Sequence, residues 1–194
     1  MKLSVLLVGT ALAATTLVAT SAQAAFPGFG ADTTGPGLTL TLHAGNTVTI
    51  TTSGQGPYDG SDDTYVGVVN NSGGSVSSLF LKSTTLPIFG FESDGIDTFG
   101  ATGNVKDSTG YGGPNAFFSG IAGDHMSGTV NFINPILNGG TGYFSLEEAL
   151  DSASFSGITV PGVPEPATWA MLLIGFGAIG YVLRRQQKLV GAAA

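Results

Sequence analysis

Residues 38–51 read Leu38-Thr39-Leu40-Thr41-Leu42-His43-Ala44-Gly45-Asn46-Thr47-Val48-Thr49-Ile50-Thr51. Leucines alternate with threonines across the first five positions, and Val48 and Ile50 alternate with Thr47, Thr49 and Thr51. A period of two with β-branched residues is the pattern of half-buried antiparallel strands. His43-Ala44-Gly45-Asn46 between the runs reads as a hairpin turn. Working outward, further strands are expected at Thr64–Asn70, Val76–Leu81, Pro87–Phe91, Asn115–Ile121, Ser127–Ile133 and Gly142–Leu146. Asn71-Ser72-Gly73-Gly74, Ser93-Asp94-Gly95 and Asn138-Gly139-Gly140 punctuate them. Leu146–Ser152 has room for a helical turn or two. About eight short strands with no helical crossovers predict an all-β fold, an antiparallel β-sandwich over residues 38–160. A Gly- and Pro-rich stretch over 25–37 reads as a flexible leader.

The composition agrees with one modest domain. Among 194 residues, 10% are charged and 42% hydrophobic, which excludes a charge-rich disordered chain or a coiled coil. There is no cysteine, so disulfides, thiolate chemistry and zinc ribbons are excluded. The formal net charge of −7 understates the acidity of the middle of the chain. Between Ala25 and Val163 twelve acidic residues face Lys82 and Lys106 alone, a balance of −10. Such a surface disfavours nucleic acid and favours solubility or divalent cations.

Both ends read as addresses. Lys2, the apolar stretch Leu3–Val18, and Ala22-Gln23-Ala24 with small residues before the cut make 1–24 a secretory signal peptide, helical in its apolar part, with Ala22 and Ala24 as the signal peptidase site. Residues 161–166 form a Pro-rich linker, and Ala167–Leu183 is an uncharged run that spans roughly 25 Å as a helix, enough for a thin bilayer. Arg184, Arg185 and Lys188 then act as a stop-transfer signal. By the positive-inside rule they place the tail 184–194 in the cytoplasm and the domain outside. Gly175-Phe176-Gly177-Ala178-Ile179-Gly180 matches a dinucleotide fingerprint in letters only. It lies inside the apolar run, with no strand before it, so helix packing is the better use of these small residues.

Val163, Pro164, Glu165, Pro166 and Trp169, then the apolar span, then Arg184-Arg185, resemble the PEP-CTERM sorting signal in its variant with Trp-Ala after the triplet. The resemblance implies a Gram-negative, exopolysaccharide-making bacterium, and recognition by exosortase with removal of the tail near the triplet. The order is physically sensible: prolines hold the segment extended for an enzyme to grip, the span parks it at the membrane, and the arginines stop translocation. About 90 residues, from Tyr58 to Glu148, are similar to a module of many PEP-CTERM secreted proteins, a resemblance that brings no activity. The implied route is export, transient inner-membrane anchoring, then the cell surface, outer membrane or extracellular matrix. Signal peptidase and exosortase are the processing partners, and exopolysaccharide of a biofilm is a further one.

Candidate chemistry is sparse. Asp59, Asp62 and Asp63 cluster in one loop, and Glu92, Asp94 and Asp97 in another, beside Gly60 and Gly95. Hard oxygen donors on loops suit Ca²⁺, although no EF-hand loop is present, since Asp59 has no Gly at the sixth position and no Glu at the twelfth. Capping of turns by Asx side chains is the alternative use of the same residues. No other cofactor is expected. His43 and His125, the latter beside Asp124, lack a G-x-S-x-G elbow to serve, and Glu147-Glu148 should point to opposite faces of a strand. The chain therefore reads as a non-catalytic surface or matrix protein, with a carbohydrate- or Ca²⁺-binding module of the surface as the alternative and a polysaccharide-acting enzyme behind it. Tyr58, Tyr65, Tyr111, Phe117, Phe118 and Tyr143 suit either sugar stacking or a core.

Overall fold

The computed structural model describes residues 25–161 and 171–180. The signal peptidase site at Ala22 and Ala24, the motif residues Val163, Pro164, Glu165, Pro166 and Trp169, and the basic stop at Arg184, Arg185 and Lys188 lie outside the described residues.

Eight strands build two four-stranded sheets: β1 Leu38–His43, β2 Thr47–Thr52, β3 Thr64–Asn71, β4 Val76–Ser83, β5 Ala116–Ser119, β6 Ser127–Ile136, β7 Thr141–Leu146 and β8 Phe155–Thr159. The first sheet has the order β2-β1-β3-β7 and the second β5-β6-β4-β8. Leu38, Leu40 and Leu42 of β1, with Val66 and Val68 of β3, pack against Leu79, Leu81, Val130 and Phe132 of the second sheet. The alternating leucines thus face the core as their period requires.

The sandwich is not wholly antiparallel. β1 and β3 pair in parallel, Leu38 opposite Val66 through His43 opposite Asn71. β2 runs back along β1 so that Thr52 lies opposite Leu38. The next strand passes β2 by and pairs on the other side of β1, starting from the end where β1 starts, so it must run the same way.

Two further expectations are corrected. Pro87–Phe91 is a turn, closed by the Gly90 N–H on the Pro87 carbonyl at 2.7 Å. Its apolar residues are there to plug the sandwich: Ile88 and Phe89 are buried, and the Phe89 ring occupies the space that a side chain at Gly128 would fill. The eighth strand is instead Phe155–Thr159, beside β4. The helical turn expected over Leu146–Ser152 falls at Ser152–Ser154 as one 3₁₀ turn, where Asp151 makes a capping box with Ser154.

The leader is not free of the domain. Phe29, Asp32, Gly35 and Pro36 are buried, and the Ala31 N–H donates to the Tyr58 carbonyl at 2.7 Å. Phe29 joins Tyr58, Tyr65, Ile96 and Ala101 in a second apolar cluster, with Phe99 and Tyr143 packed against it. Tyr65 and Tyr143 come from the face of the first sheet that points away from the sandwich core. The central strand β3 is consequently buried on both faces, which accounts for its near-continuous apolar run.

At residues 171–180 the chain is α-helical, with Met171, Leu172, Leu173, Ile174, Phe176 and Ile179 exposed. No helix among the described residues is long and apolar enough to cross a membrane.

Candidate functional site

The antiparallel pair β3 and β7 ends with Thr64 opposite Leu146. One residue further, Asp63 and Glu147 emerge at the same end of adjacent strands. Both are buried, Asp63 at 1% exposure and Glu147 at 6%.

Three loops close over this pair. In the first, Asp59 is used as the turn chemistry anticipates: Oδ2 accepts from the Ser61 N–H at 3.1 Å and Oδ1 from the Asp63 N–H at 3.0 Å. The hydroxyl of Tyr58 donates to Asp63 Oδ2 at 2.9 Å and also lies 3.2 Å from Ser145 Oγ. In the second loop, Gly95 runs against the Gly110 backbone so closely that a Cβ would collide with the Gly110 carbonyl, and this delivers Asp94 to the site. The third loop places the Tyr111 hydroxyl 2.7 Å from both Asp94 Oδ1 and Glu147 Oε2. Ser145 binds the loops together, its Oγ accepting from the Ile96 N–H and its own N–H donating to the Tyr111 carbonyl.

One carboxylate oxygen each from Asp59, Asp63 and Asp94 lies within 4.8 Å of the others, and the same holds for Asp62, Asp63 and Glu147. Asp63 belongs to both triads. Its Oδ1 is buried and has no hydrogen-bond partner among the described residues. Burial pushes the Asp63 carboxyl well above the usual carboxylate range. The Tyr58 hydrogen bond pulls the other way, and the charge of Glu147 adds to the rise. Glu147 is raised too, by burial first and by Asp94 and Glu92 after the hydrogen bonds that oppose it. The Tyr58 and Tyr111 hydroxyls are held firmly protonated, by burial first and then by the carboxylates around them.

Of the acids singled out in the sequence, Asp59, Asp62, Asp63 and Asp94 are brought together, and Glu92 and Asp97 are in neither triad. The 3₁₀ turn at Ile96–Phe99 carries Asp97 into the next loop, near Asp107, where burial raises its carboxyl. Ser145 carries no signal in the sequence, and Glu147, Tyr58 and Tyr111, which the sequence offers for other uses, join the acids here. The expectation that Glu147 and Glu148 alternate along a strand is corrected, since β7 ends at Leu146, and only the strand register shows that Glu147 meets Asp63. Glu148 has φ +76, so the strand has already ended there.

Other chemistry is scattered. His43 Nε2 lies 3.1 Å from Thr49 Oγ1 across the first hairpin, and His125 Nδ1, in the loop before β6, lies 3.1 Å from the carbonyl of Phe89 in its turn. Tyr58, Tyr65 and Tyr111 are buried, so their rings are core and are not platforms for sugars.

Comparison with protein families gives one finding: residues 162–186 match the PEP-CTERM protein-sorting motif. The matched stretch contains Pro164-Glu165-Pro166, Trp169 and Arg184-Arg185, the residues on which the resemblance rested. The motif marks an exported, surface-directed protein and implies processing by exosortase. Comparisons with curated proteins and with solved structures find no match.

Proposed function

We propose that this chain is a non-catalytic surface or matrix component whose β-sandwich is the delivered part and whose C-terminal segment is a disposable address. The sorting motif at 162–186 carries this reading. In it, 167–183 holds the chain in the inner membrane with the arginines on the cytoplasmic side, exosortase acts near Pro164–Pro166, and the domain goes on to the surface. The exposed apolar side chains at 171–180 support the anchoring step, because a helix apolar on every side suits lipid. With three tyrosines buried, contact with exopolysaccharide runs through other surfaces.

Intact mass of the protein from the surface fraction of its native host, beside a strain lacking exosortase, tests the reading. A chain from Ala25 to near Pro164 in the first strain alone is the expected result. An unprocessed C-terminus in both would overturn it.

A further inference from the structure

The end of the β3–β7 ladder holds an arrangement of charge that the described residues do not balance. Asp63 and Glu147 are buried side by side, with Asp59, Asp62 and Asp94 around them. Lys82, Lys106, His43 and His125 are the only basic residues between Ala25 and Pro161. His43 and His125 make the bonds given above, and Lys106 sits over the Phe117 ring. Lys82 is on β4, in the opposite sheet.

Hydrogen-bond donors are also short. Asp63, Glu147 and Asp94 present six oxygens between them, and among the described residues the side-chain donors that reach them are the hydroxyls of Tyr58 and Tyr111. The Tyr111 proton serves two carboxylates at 2.7 Å each. Asp63 Oδ1, on a residue 99% buried, receives nothing from the described residues. Asp32 Oδ1 and Asp97 Oδ1 are likewise buried without a partner, but among the described residues only at Asp63 do other carboxylates crowd the same point, which leaves room for an occupant that balances their charge.

We propose that this junction is a binding site for a hard divalent cation of the Ca²⁺ class, with Asp63 as the shared ligand of the two acidic triads. The donor set is all oxygen, which excludes soft metals and matches Ca²⁺. Two oxygens on opposite sides of one Ca²⁺ at about 2.4 Å each are about 4.8 Å apart, and the oxygens of each triad lie within that distance of one another. The segments that contribute ligands are separately tied down by Asp59 in the first loop, by Gly95 against Gly110 in the second, and by Ser145 two residues before Glu147. Ligands on irregular loops tolerate the variable coordination of Ca²⁺ better than the octahedron Mg²⁺ demands. The inference is independent of the sorting tail.

The test uses the full chain in detergent, stripped by chelator. Ca²⁺ should raise its melting temperature saturably, by about 5–10 °C at a hundredfold excess over the dissociation constant, and Mg²⁺ should do so less. Tb³⁺ bound there should be sensitised by Tyr58 and Tyr111 and displaced by Ca²⁺. Asp63→Asn should abolish both responses. Because Asp63 is buried and that variant can fail to fold, the exposed pair Asp62→Asn and Asp94→Asn is made as well, with an expected loss of at least about tenfold in affinity. Asp124→Asn, on an exposed turn away from the site, is the control. The absence of any Ca²⁺-dependent shift and of sensitised Tb³⁺ emission in the parent chain would overturn the proposal. So would an equal response from the Asp62/Asp94 pair and the control, which would mean diffuse attraction to an anionic surface.

Discussion

Asn70 offers the sharpest test of how the two sheets are joined. The chain passes from the first sheet to the second after β3 and returns after β6, and both crossings meet at this side chain. Nδ2 donates to the Gly74 carbonyl at 2.8 Å and to the Ile136 carbonyl at 2.7 Å. Oδ1 accepts from the Ser72 N–H at 3.0 Å and the Ser72 hydroxyl at 2.6 Å. Asn70 is fully buried and Ser72 nearly so. Asn70→Ala removes four hydrogen bonds worth about 1 kcal/mol each, and it strands buried partners, so a loss of about 3–5 kcal/mol is expected. Urea unfolding followed by far-UV circular dichroism measures it, with an unchanged slope showing that the folded state is the same. Asn70→Asp keeps the shape and the Ser72 bonds but turns an oxygen toward two carbonyls. Its folded pKa must lie above the unfolded value, so its stability is greatest below pH of about 4 and falls as pH rises. A cost under about 1 kcal/mol for the alanine variant, or identical aspartate penalties at acid and neutral pH, would refute the account.

Two further outcomes follow from the leader. Asp32 accepts from the Gly37 N–H at 3.1 Å through Oδ2, leaves Oδ1 buried without a partner, and is pushed by burial from 3.8 up to about 6. The folded pKa lies above the unfolded one, so the stability linked to its proton is complete below about pH 4 and is lost as pH rises through 6. The loss is at most about 3 kcal/mol. Asp32→Asn should remove that slope and gain stability at pH 7, and a slope shared by both proteins in paired denaturation curves would sink the assignment. Gly67, in the middle of β3, faces the leader, and a Cβ there would lie 2.6 Å from Pro36 Cγ and 2.9 Å from Phe26 Cζ. Gly67→Ala should cost about 1–3 kcal/mol and open residues 26–37 to limited proteolysis. If the leader were only a tether, alanine in a strand interior would instead stabilise by about 0.5–1 kcal/mol.

What the sequence discloses here depends on how each segment is covered. β1 and β2 are legible because one face is buried and the other is threonine, so periodicity alone identifies them. β3 is legible for a different reason, since cover on both faces makes its apolar run continuous. Pro87–Phe91 misleads because an apolar run of five says only that side chains are buried. Phe89 reaches the core from a turn as well as any strand residue could. β8 is Phe155-Ser156-Gly157-Ile158-Thr159, whose small residues give it little apolar contrast, and pairing with β4 supplies what its composition lacks. At the candidate site the loop aspartates were readable as acids in turns. Their meeting with Glu147 depends on a register between strands some 75 residues apart in the chain. Asp94 and Asp97 look equivalent in sequence, and a single 3₁₀ turn separates them.

The same geometry bears on how an exported domain without cysteine holds long loops in place. Loop closure costs entropy that grows slowly with length, and small secreted domains commonly offset it with disulfides. Here short-range caps do part of that work: Asp107 accepts from the backbone of Thr109, Gly110 and Gly112, while Asn104 donates to the carbonyls of Gly113 and Ala116. These caps shape each loop internally but do not fasten one loop to another. The junction at Asp63 does, because the segments carrying Asp59, Asp94 and Tyr111 converge there on the end of β3, the strand buried on both faces. A cation at that point would cross-link the segments carrying Asp59, Asp94 and Glu147 as a disulfide would, with Tyr111 held through its bonds to Asp94 and Glu147 and a strength set by the ion's concentration in the surrounding medium. On that account the loops would be firmest where the sorting tail sends the domain, outside the cell, and chelation should loosen them while leaving the two sheets paired.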